Sequence, residues 1–307
     1  MTQVPSQELT LPDGVRLVPG RGGLPAVRID VPGCTGEVYL QGAHVTSWRP
    51  AGGDVLWVSE AAVFRPGKAI RGGVPICLPW FAGGVDGTST PAHGFARITE
   101  WGLVGATVDD RSVELKLALT DTVDTRAMWP HSFAAEYGVR MGRDELCLTL
   151  AVTNTGDEAF TFEEALHSYF AVRDIRQVRV EGLEGASYLN TVPGEDAGPH
   201  VQDDPIRFTG ETDRTYQGTT ATAVIRDGNR TVTVARDGSA SAVVWNPWVA
   251  KSAAMSDFGD DEWTGMLCVE TANAKADAVT LEPGAEHTMT ARITEVDHGQ
   301  EALIGSS

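Results

Sequence analysis

The sequence lacks the short motifs that mark the commonest cofactor and nucleophile chemistries. It contains no GxGxxG or GxxxxGK[ST] element, no HExxH and no GxSxG. These absences remove the sequence support for nucleotide-dependent, zinc-dependent and serine-dependent reactions. No run of about 18 apolar residues is present either, which excludes a helical membrane span. Proton transfer without a cofactor and simple carbohydrate binding are the functions that remain.

Basic residues are also scarce. The chain of 307 residues has 24 Lys and Arg against 42 Asp and Glu, for a formal net charge of -18. This balance argues against nucleic acid, which requires a positive surface. It also repels anionic substrates at long range, so a phosphorylated substrate would need specific cations in its pocket. We expect arginines in that role, because Arg binds phosphate in a bidentate manner and because the lysines are only Lys68, Lys116, Lys251 and Lys275.

The cysteines and the N-terminus predict a reduced, cytoplasmic protein. No cysteines form a CxxC pair of the kind that binds metal, and Cys147 and Cys268 lie in apolar runs where free Cys acts as a small hydrophobe. The N-terminal residues 1–5 lack the basic and apolar regions of a secretory signal. We expect no metal and no disulfide framework.

Short segments of alternating apolar and polar residues dominate the chain. Residues 112–119 and 145–152 are clear examples, and turn residues such as those of 154–157 and 227–229 separate such segments. Long helical periodicity is nearly absent, and no low-complexity linker or internal repeat divides the chain. The pattern predicts an all-β fold, a large antiparallel β-sandwich with few short helices, built as a single domain over residues 1–307 with a polar tail after about residue 298.

Two side chains in apolar, strand-like surroundings are candidates for acid–base chemistry. His167 follows the run Phe160–Leu166, and alternation places it on the same face as Tyr169. Glu270 lies in the run Gly265–Asn273, on the face of an apolar strand. A His with a Glu is the minimum equipment for giving one proton to a substrate while taking another. Considered singly, each could equally be a buried group satisfied by a structural partner.

Other candidates would contact a ligand. His93 lies in a Gly- and Pro-bearing loop that suits close approach to a ligand, although it could merely hold the loop. Arg71 and Arg97 are candidate anion ligands, against the alternative of solvated surface charges. Asp213 could accept hydrogen bonds from sugar hydroxyls. Aromatic rings could stack on a sugar or belong to the core, and the ones considered are Trp80, Phe81 and Trp245.

Taken together, these motifs resemble the glucose-6-phosphate 1-epimerases, or hexose-6-phosphate mutarotases, of the aldose 1-epimerase superfamily. The matching segments run in order over roughly residues 35 to 275, and they are specific jointly rather than singly. They are Gly42–Trp48, Val55–Ser59, Ala69–Pro75, His93–Arg97, Trp129–Phe133, Ala165–Phe170, Glu211–Arg214, Trp245–Trp248 and Cys268–Glu270. One departure is Tyr188–Asn190, where family members often have Tyr, any residue and Asp.

The resemblance implies a galactose-mutarotase-like β-sandwich and a monomer that works without a cofactor. It implies catalytic roles for His167 and Glu270, and substrate contacts from Arg71, His93, Arg97 and Asp213. The implied reaction interconverts the α and β anomers of glucose 6-phosphate or a related hexose 6-phosphate by opening and closing the ring. Two alternatives stay open at this stage. One is a mutarotase for unphosphorylated aldoses such as galactose or glucose, and the other is a non-catalytic carbohydrate-binding sandwich.

Overall fold

A computed structural model describes residues 10–50 and 53–298 of the chain. The predicted polar tail after about residue 298 and the N-terminal residues 1–5 lie outside the described residues. Within them, antiparallel strands dominate and helices are few and short. No helix of the described residues is both long and apolar enough to span a bilayer.

The strands are numbered in chain order. The first twelve are β1 (Val15–Pro19), β2 (Pro25–Val31), β3 (Cys34–Tyr39), β4 (His44–Arg49), β5 (Ile76–Cys77), β6 (Gly102–Val108), β7 (Ser112–Thr120), β8 (Phe133–Gly142), β9 (Glu145–Asn154), β10 (Phe160–Phe162), β11 (Glu164–Leu166) and β12 (Tyr169–Ala171). The others are β13 (Arg179–Glu181), β14 (Ser187–Asn190), β15 (His200–Val201), β16 (Ile206–Arg207), β17 (Thr212–Gln217), β18 (Ala223–Asp227), β19 (Arg230–Asp237), β20 (Ser241–Asn246), β21 (Met266–Asn273), β22 (Val279–Leu281) and β23 (Glu286–Asp297). The α-helices are α1 (Val123–Met128) and α2 (Trp248–Ala254).

Two large sheets form the body of the sandwich. One has nine strands in the order β16-β13-β18-β19-β23-β9-β8-β7-β6, and the other has eight, in the order β15-β14-β17-β20-β21-β11-β5 with β12 also paired to β21. A four-stranded sheet, β1 to β4, and the β10-β22 pair complete the described strands. The all-β sandwich predicted from the sequence is confirmed.

The alternation of apolar and polar residues in the nine-stranded sheet explains how this sheet covers the core. Along β7, Val113, Leu115, Leu117 and Leu119 are buried, while the residues between them are more exposed. Side chains of this sheet join those of the four-stranded and eight-stranded sheets in one continuous apolar core. Fully burying a side chain of this size stabilises the fold by roughly 1.5–3 kcal/mol.

The two central strands of the eight-stranded sheet are buried on both faces. Every residue of β20 and of β21 is buried. Polar residues in these strands therefore need partners. Asn246, for example, donates through its amide to the carbonyls of Trp263 (2.8 Å) and Met266 (2.9 Å). Among the described residues, Glu270 Oε2 and Thr271 Oγ1 of β21 are buried without such a partner.

The structure differs from the sequence prediction in one strand. Residues 160–170, which we expected as a continuous strand, form the three short strands β10, β11 and β12. The breaks occur where the backbone turns to other partners: Glu163 N–H donates to Pro79 O and His167 N–H to Pro75 O. The cysteines are all buried and unpaired, as expected for reduced thiols. The single-domain organisation stays a prediction.

Candidate active site

Strand register brings the two predicted catalytic residues together. Strand β21 pairs antiparallel with both β11 and β12. Leu166 of β11 lies opposite Thr271, and Tyr169 of β12 lies opposite Cys268. The register is the same on both sides of the break between β11 and β12, so His167 stands directly opposite Glu270. Side chains directly opposite each other project from the same face of a sheet. The closeness of this pair is therefore a property of the sheet rather than of a loop.

His167 and Glu270 each have a polar atom without a hydrogen-bond partner. Nδ1 of His167 lies 3.3 Å from Oε1 of Glu270. Within the described residues, however, His167 Nδ1 and Glu270 Oε2 are buried without a hydrogen-bond partner, so the contact is close but not aligned as a bond. The residues are only 7% and 1% exposed. Buried polar atoms are nearly always bonded, and a ligand with polar groups at this place would give both atoms a partner.

Burial shifts the pKa values of the two groups in opposite directions. Desolvation raises the pKa of Glu270 well above its ordinary value, and the charge of Asp213 raises it further. Desolvation also lowers the pKa of His167 well below its ordinary value, with His93, Arg97 and Arg71 adding to the effect. Both shifts favour the neutral forms, a protonated carboxyl and an unprotonated imidazole, which are the forms left after each group has passed on or taken up a proton.

His93 approaches the same place from the loop before the 3-10 turn Ala96–Ile98. Its backbone is in the left-handed region (φ 62°) and Gly94 follows at φ 76°. A Cβ on Gly94 would lie 2.0 Å from Leu78 O, so only glycine fits there. The Ala82 N–H donates to His93 Nδ1 (3.3 Å). This assigns the ring proton to Nε2, which is then a donor for a ligand.

Arg71 reaches the site from an irregular segment. Its Nη1 donates to the hydroxyl of Tyr169 (3.1 Å), and its Nη2 donates to Asp257 Oδ1 (3.2 Å) and Oδ2 (3.4 Å). Its Nε is buried and has no partner among the described residues. Gly72, which follows it, adopts φ 109° and receives a bond at its carbonyl from the buried Nε2 of His44 (2.7 Å). Burial lowers the pKa of His44 to about 4, so that imidazole is neutral and acts as a structural donor.

Arg97 is the least constrained of the predicted cations. Its Nη2 donates to the carbonyl of Ala92 (2.6 Å), and the described residues provide no carboxylate partner for it. Burial and the charge of Arg71 lower the pKa of its guanidinium. The charge of Arg97 in turn acts on His93, His167 and Glu270. Positive charges therefore act on the candidate acid–base pair in a strongly acidic protein.

These side chains line one cleft of about 330 Å³, which is a suitable size for a small ligand. Arg71, His93, His167, Asp213 and Glu270 all line it. Of the six predicted site residues, Arg97 alone is absent from the lining, although its charge reaches it.

Two of the three aromatic candidates line the cleft and the third does not. Phe81 and Trp245 line the cleft, and the indole of Trp245 meets the His167 ring edge-on at 6.1 Å. Trp80 lies outside it, where its indole N–H donates to Pro91 O (2.8 Å) and its ring packs against Phe95. Trp80 is therefore a structural residue of the loop that carries His93.

Two lysines that the sequence analysis left aside also line the cleft. Lys251, on α2, contacts Glu211 (2.8 Å) and Asp213 (3.7 Å). Lys275, in a left-handed turn (φ 60°), lowers the pKa of His93 by its charge. No motif or spacing in the sequence marked either lysine, because they lie 24 positions apart and only the fold brings them to one cleft.

A second groove, of about 420 Å³, lies on the outer face of the nine-stranded sheet. Two of the arginines that line it have partners: Arg140 pairs with Glu145 at 2.6 Å, and Arg292 donates to Cys147 Sγ at 3.4 Å. Neither His167 nor Glu270 lines this groove, whereas both line the cleft. The cleft is therefore the candidate active site.

Comparison with known proteins agrees with this geometry. The family model described as aldose 1-epimerase matches residues 25–294. The chain belongs to the aldose 1-epimerase family. It is therefore an epimerase, an isomerase whose substrate is a sugar. The resemblance inferred from the sequence motifs is confirmed.

Curated aldose 1-epimerase relatives are similar over most of their length. A protein from Cenchrus ciliaris, provisionally named glucose-6-phosphate 1-epimerase, is 40% identical over 271 residues, which cover 82% of this chain and 79% of the relative. A protein of the same provisional name from Escherichia coli K12 is 38% identical over 277 residues, 89% of this chain and 91% of the relative. A crystal structure of a provisionally named mutarotase from Salmonella typhimurium superposes with a TM-score of 0.83 at 33% identity, covering 92% of this chain and 97% of that one.

Proposed function

We propose that this aldose 1-epimerase interconverts the α and β anomers of glucose 6-phosphate or a closely related hexose 6-phosphate. The observation that carries the proposal is the unsatisfied pair of His167 and Glu270 on one face of the sheet, beside a cluster of cations. The names of the relatives from Cenchrus ciliaris and Escherichia coli K12 support the phosphorylated substrate.

The acid–base pair suits ring opening because the C1 hydroxyl and the ring oxygen are bonded to the same carbon. Glu270 as carboxylate takes the proton of the C1 hydroxyl while the bond between C1 and the ring oxygen breaks and the C1 carbonyl forms. His167 as imidazolium gives its proton to the ring oxygen. The aldehyde end turns about C1–C2, and the reverse transfers close the ring on the other face and restore both groups. Such positioned groups typically contribute about 10²–10⁴-fold.

The electrostatics of the cleft favour the open-chain intermediate. Ring opening converts a carboxylate and an imidazolium into a neutral carboxyl and a neutral imidazole. Burial raises the pKa of Glu270 and lowers the pKa of His167, so it favours the neutral pair. His93, with its proton on Nε2, would donate a hydrogen bond near the ring oxygen.

The phosphate would lie on the His167 side of the cleft. C6 is attached to C5, which is bonded to the ring oxygen, so a phosphate on C6 extends beyond the ring oxygen and away from the C1 hydroxyl. Arg71 donates to the hydroxyl of Tyr169, whose ring lies 4.7 Å from that of His167. Arg97 donates to the carbonyl next to His93, whose ring lies 5.6 Å from that of His167. We therefore assign phosphate binding to the two arginines and hydroxyl recognition to Asp213.

Anomer exchange measured by NMR, with spontaneous exchange subtracted, tests the proposal on glucose 6-phosphate, glucose and galactose. We expect kcat/KM to be highest for glucose 6-phosphate. Glu270→Gln should abolish catalysed exchange while glucose 6-phosphate still binds by calorimetry. Equal kcat/KM on the free sugars would make the protein a mutarotase of unphosphorylated aldoses. Binding without exchange in the wild-type protein would make it a carbohydrate-binding module.

The proposal includes a monomeric, cytoplasmic enzyme. An acid–base site built from β21 and the β11-β12 segment of one chain is complete without a second copy. Analytical ultracentrifugation of the active protein tests the monomer, and fractionation of the source cells tests the location.

A further inference from the structure

Tyr169 contacts both a proposed catalytic residue and a proposed phosphate ligand. Its ring lies parallel to the imidazole of His167, with centroids 4.7 Å apart and an interplanar angle of 8°. Its hydroxyl accepts a hydrogen bond from Nη1 of Arg71 at 3.1 Å. The sequence analysis placed Tyr169 on the same face as His167 but gave it no role.

The surroundings of Tyr169 leave its ring little freedom. Trp57 also stacks on it, at 5.7 Å and 22°, and Trp245 meets it nearly at a right angle at 5.9 Å. The backbone is fixed as well, because the Tyr169 N–H donates to Gly73 O (2.9 Å) and Tyr169 O accepts from Trp57 N–H (3.0 Å). Tyr169 is only 2% exposed. Its orientation therefore dictates the plane in which the His167 ring lies.

The hydroxyl of Tyr169 is suited to hold a cation without becoming charged. Burial raises the pKa of the phenol, and the charge of Arg71 opposes that change only in part. The hydroxyl is therefore an oxygen acceptor in an apolar setting, where a bond to a guanidinium is strong. Asp257 holds the opposite nitrogen of Arg71, so the arginine is fixed between a phenol and a carboxylate.

We propose that Tyr169 is a positioning residue that aligns His167 for proton transfer with its ring and orients Arg71 toward the phosphate with its hydroxyl. The inference rests on the proposed function. It divides one side chain into two separable parts, since the ring serves catalysis and the hydroxyl serves binding of the phosphorylated substrate.

Two substitutions separate these parts. Tyr169→Phe keeps the ring and removes the bond to Arg71. We expect it to raise KM for glucose 6-phosphate about tenfold, as for loss of a bond to a charged group. Its kcat, and all constants for free glucose, should stay within about twofold of wild type. Tyr169→Leu removes the ring as well, and should lower kcat on both sugars about 10–100-fold and move the acidic limb of the pH profile.

Tyr137→Phe is the matched control. Tyr137 is fully buried and its hydroxyl has no hydrogen-bond partner among the described residues, so it loses the same atom from a core position away from the cleft. Its kinetic constants should equal those of wild type. Circular dichroism and thermal unfolding confirm that each variant is folded. If Tyr169→Leu does not fold, Tyr169→Phe still decides the role of the hydroxyl.

The outcomes separate this inference from the proposed function. A wild-type protein that does not exchange glucose 6-phosphate anomers contradicts the proposed function. A wild-type protein that does, together with a Tyr169→Phe variant of unchanged KM, overturns the role of the hydroxyl. A folded Tyr169→Leu variant with wild-type kcat and pH profile overturns the role of the ring.

Discussion

His167, in the break between β11 and β12, lies opposite Glu270 of β21, with Nδ1 and Oε1 3.3 Å apart. Because this proximity follows from register, the pair needs no loop movement to form. A ligand that accepts one proton and gives another at neighbouring atoms would satisfy both groups at once. The pair thus behaves as a unit in its titration.

The pH dependence of kcat/KM should be bell-shaped, because the reaction requires the pair to carry one proton. Activity should fall in acid when the pair takes up a second proton, on His167, at a pH below the ordinary His pKa of 6.5. It should fall in alkali when the pair loses its last proton, at a pH above the ordinary Glu pKa of 4.5. Rates of anomer exchange across the pH range measure both limbs. A monotonic profile would contradict the shared-proton assignment.

His93→Asn should separate the two hydrogen-bonding roles of His93. Asn tolerates the left-handed backbone at this position, and its side-chain oxygen can accept from the Ala82 N–H in place of Nδ1. The donor directed at the substrate is lost, so kcat/KM should fall about 10–100-fold while the melting temperature stays near that of wild type. His93→Ala, which loses both bonds and is strained, should also be less stable. An Asn variant with wild-type kcat/KM would assign His93 to the loop alone.

Arg97→Ala should raise KM for glucose 6-phosphate at least about tenfold and change the kinetics on free glucose little. The physical reason is that Arg97 lacks a carboxylate partner among the described residues and so retains its charge for an anion. Arg28→Ala is the control, because Arg28 is exposed and bonded to Glu37. Equal losses on both sugars would remove the phosphate role of Arg97.

The stability of the fold should depend on pH through His287. Its Nε2 lies 3.2 Å from Oε1 of the fully buried Glu164, and Asn273 Nδ2 (3.1 Å) and Gly238 O (2.9 Å) also contact this nitrogen. The bond to Glu164 raises the pKa of His287 above its ordinary value of 6.5. The stabilisation is therefore fully present below that value and is lost as the pH rises through the raised pKa.

His287→Gln measures this contribution. The difference in free energy of unfolding between wild type and variant should be about 1 kcal/mol in mild acid, because water screens a partly exposed pair, and should shrink in alkali. Urea unfolding at several pH values provides it. A difference that does not change with pH would assign the His287 contact to packing alone.

Alternation of apolar residues was enough to predict the sandwich, because period two is a local property of each strand. Residues 112–119 and 145–152 lie within β7 and β9 as expected. The interruption of the expected strand over 160–170 was not predictable, since Glu163 and His167 bond to Pro79 and Pro75, on a distant segment. Secondary structure agreed with the local sequence pattern except where a backbone N–H bonds to a carbonyl far away in the sequence.

Part of the candidate site could likewise be predicted from the sequence and part could not. Motifs identified His167, Glu270 and the residues around them, and register supplied the geometry that motifs lack. The contacts of Arg71 join residues 98 and 186 positions away, to Tyr169 and Asp257, and no local pattern encodes such pairs. The involvement of Lys251 and Lys275 required the fold, because a single lysine in a sequence has no signature.

Glu270 lies on β21 and His167 lies in the short break between β11 and β12 that pair with it, whereas Arg97, Lys251 and Lys275 belong to the surrounding loops and turns and to the short helix α2. Loops and short elements at a rim tolerate exchange far better than a central strand. A redesigned rim can therefore give the scaffold a new sugar preference while the epimerisation step is inherited unchanged.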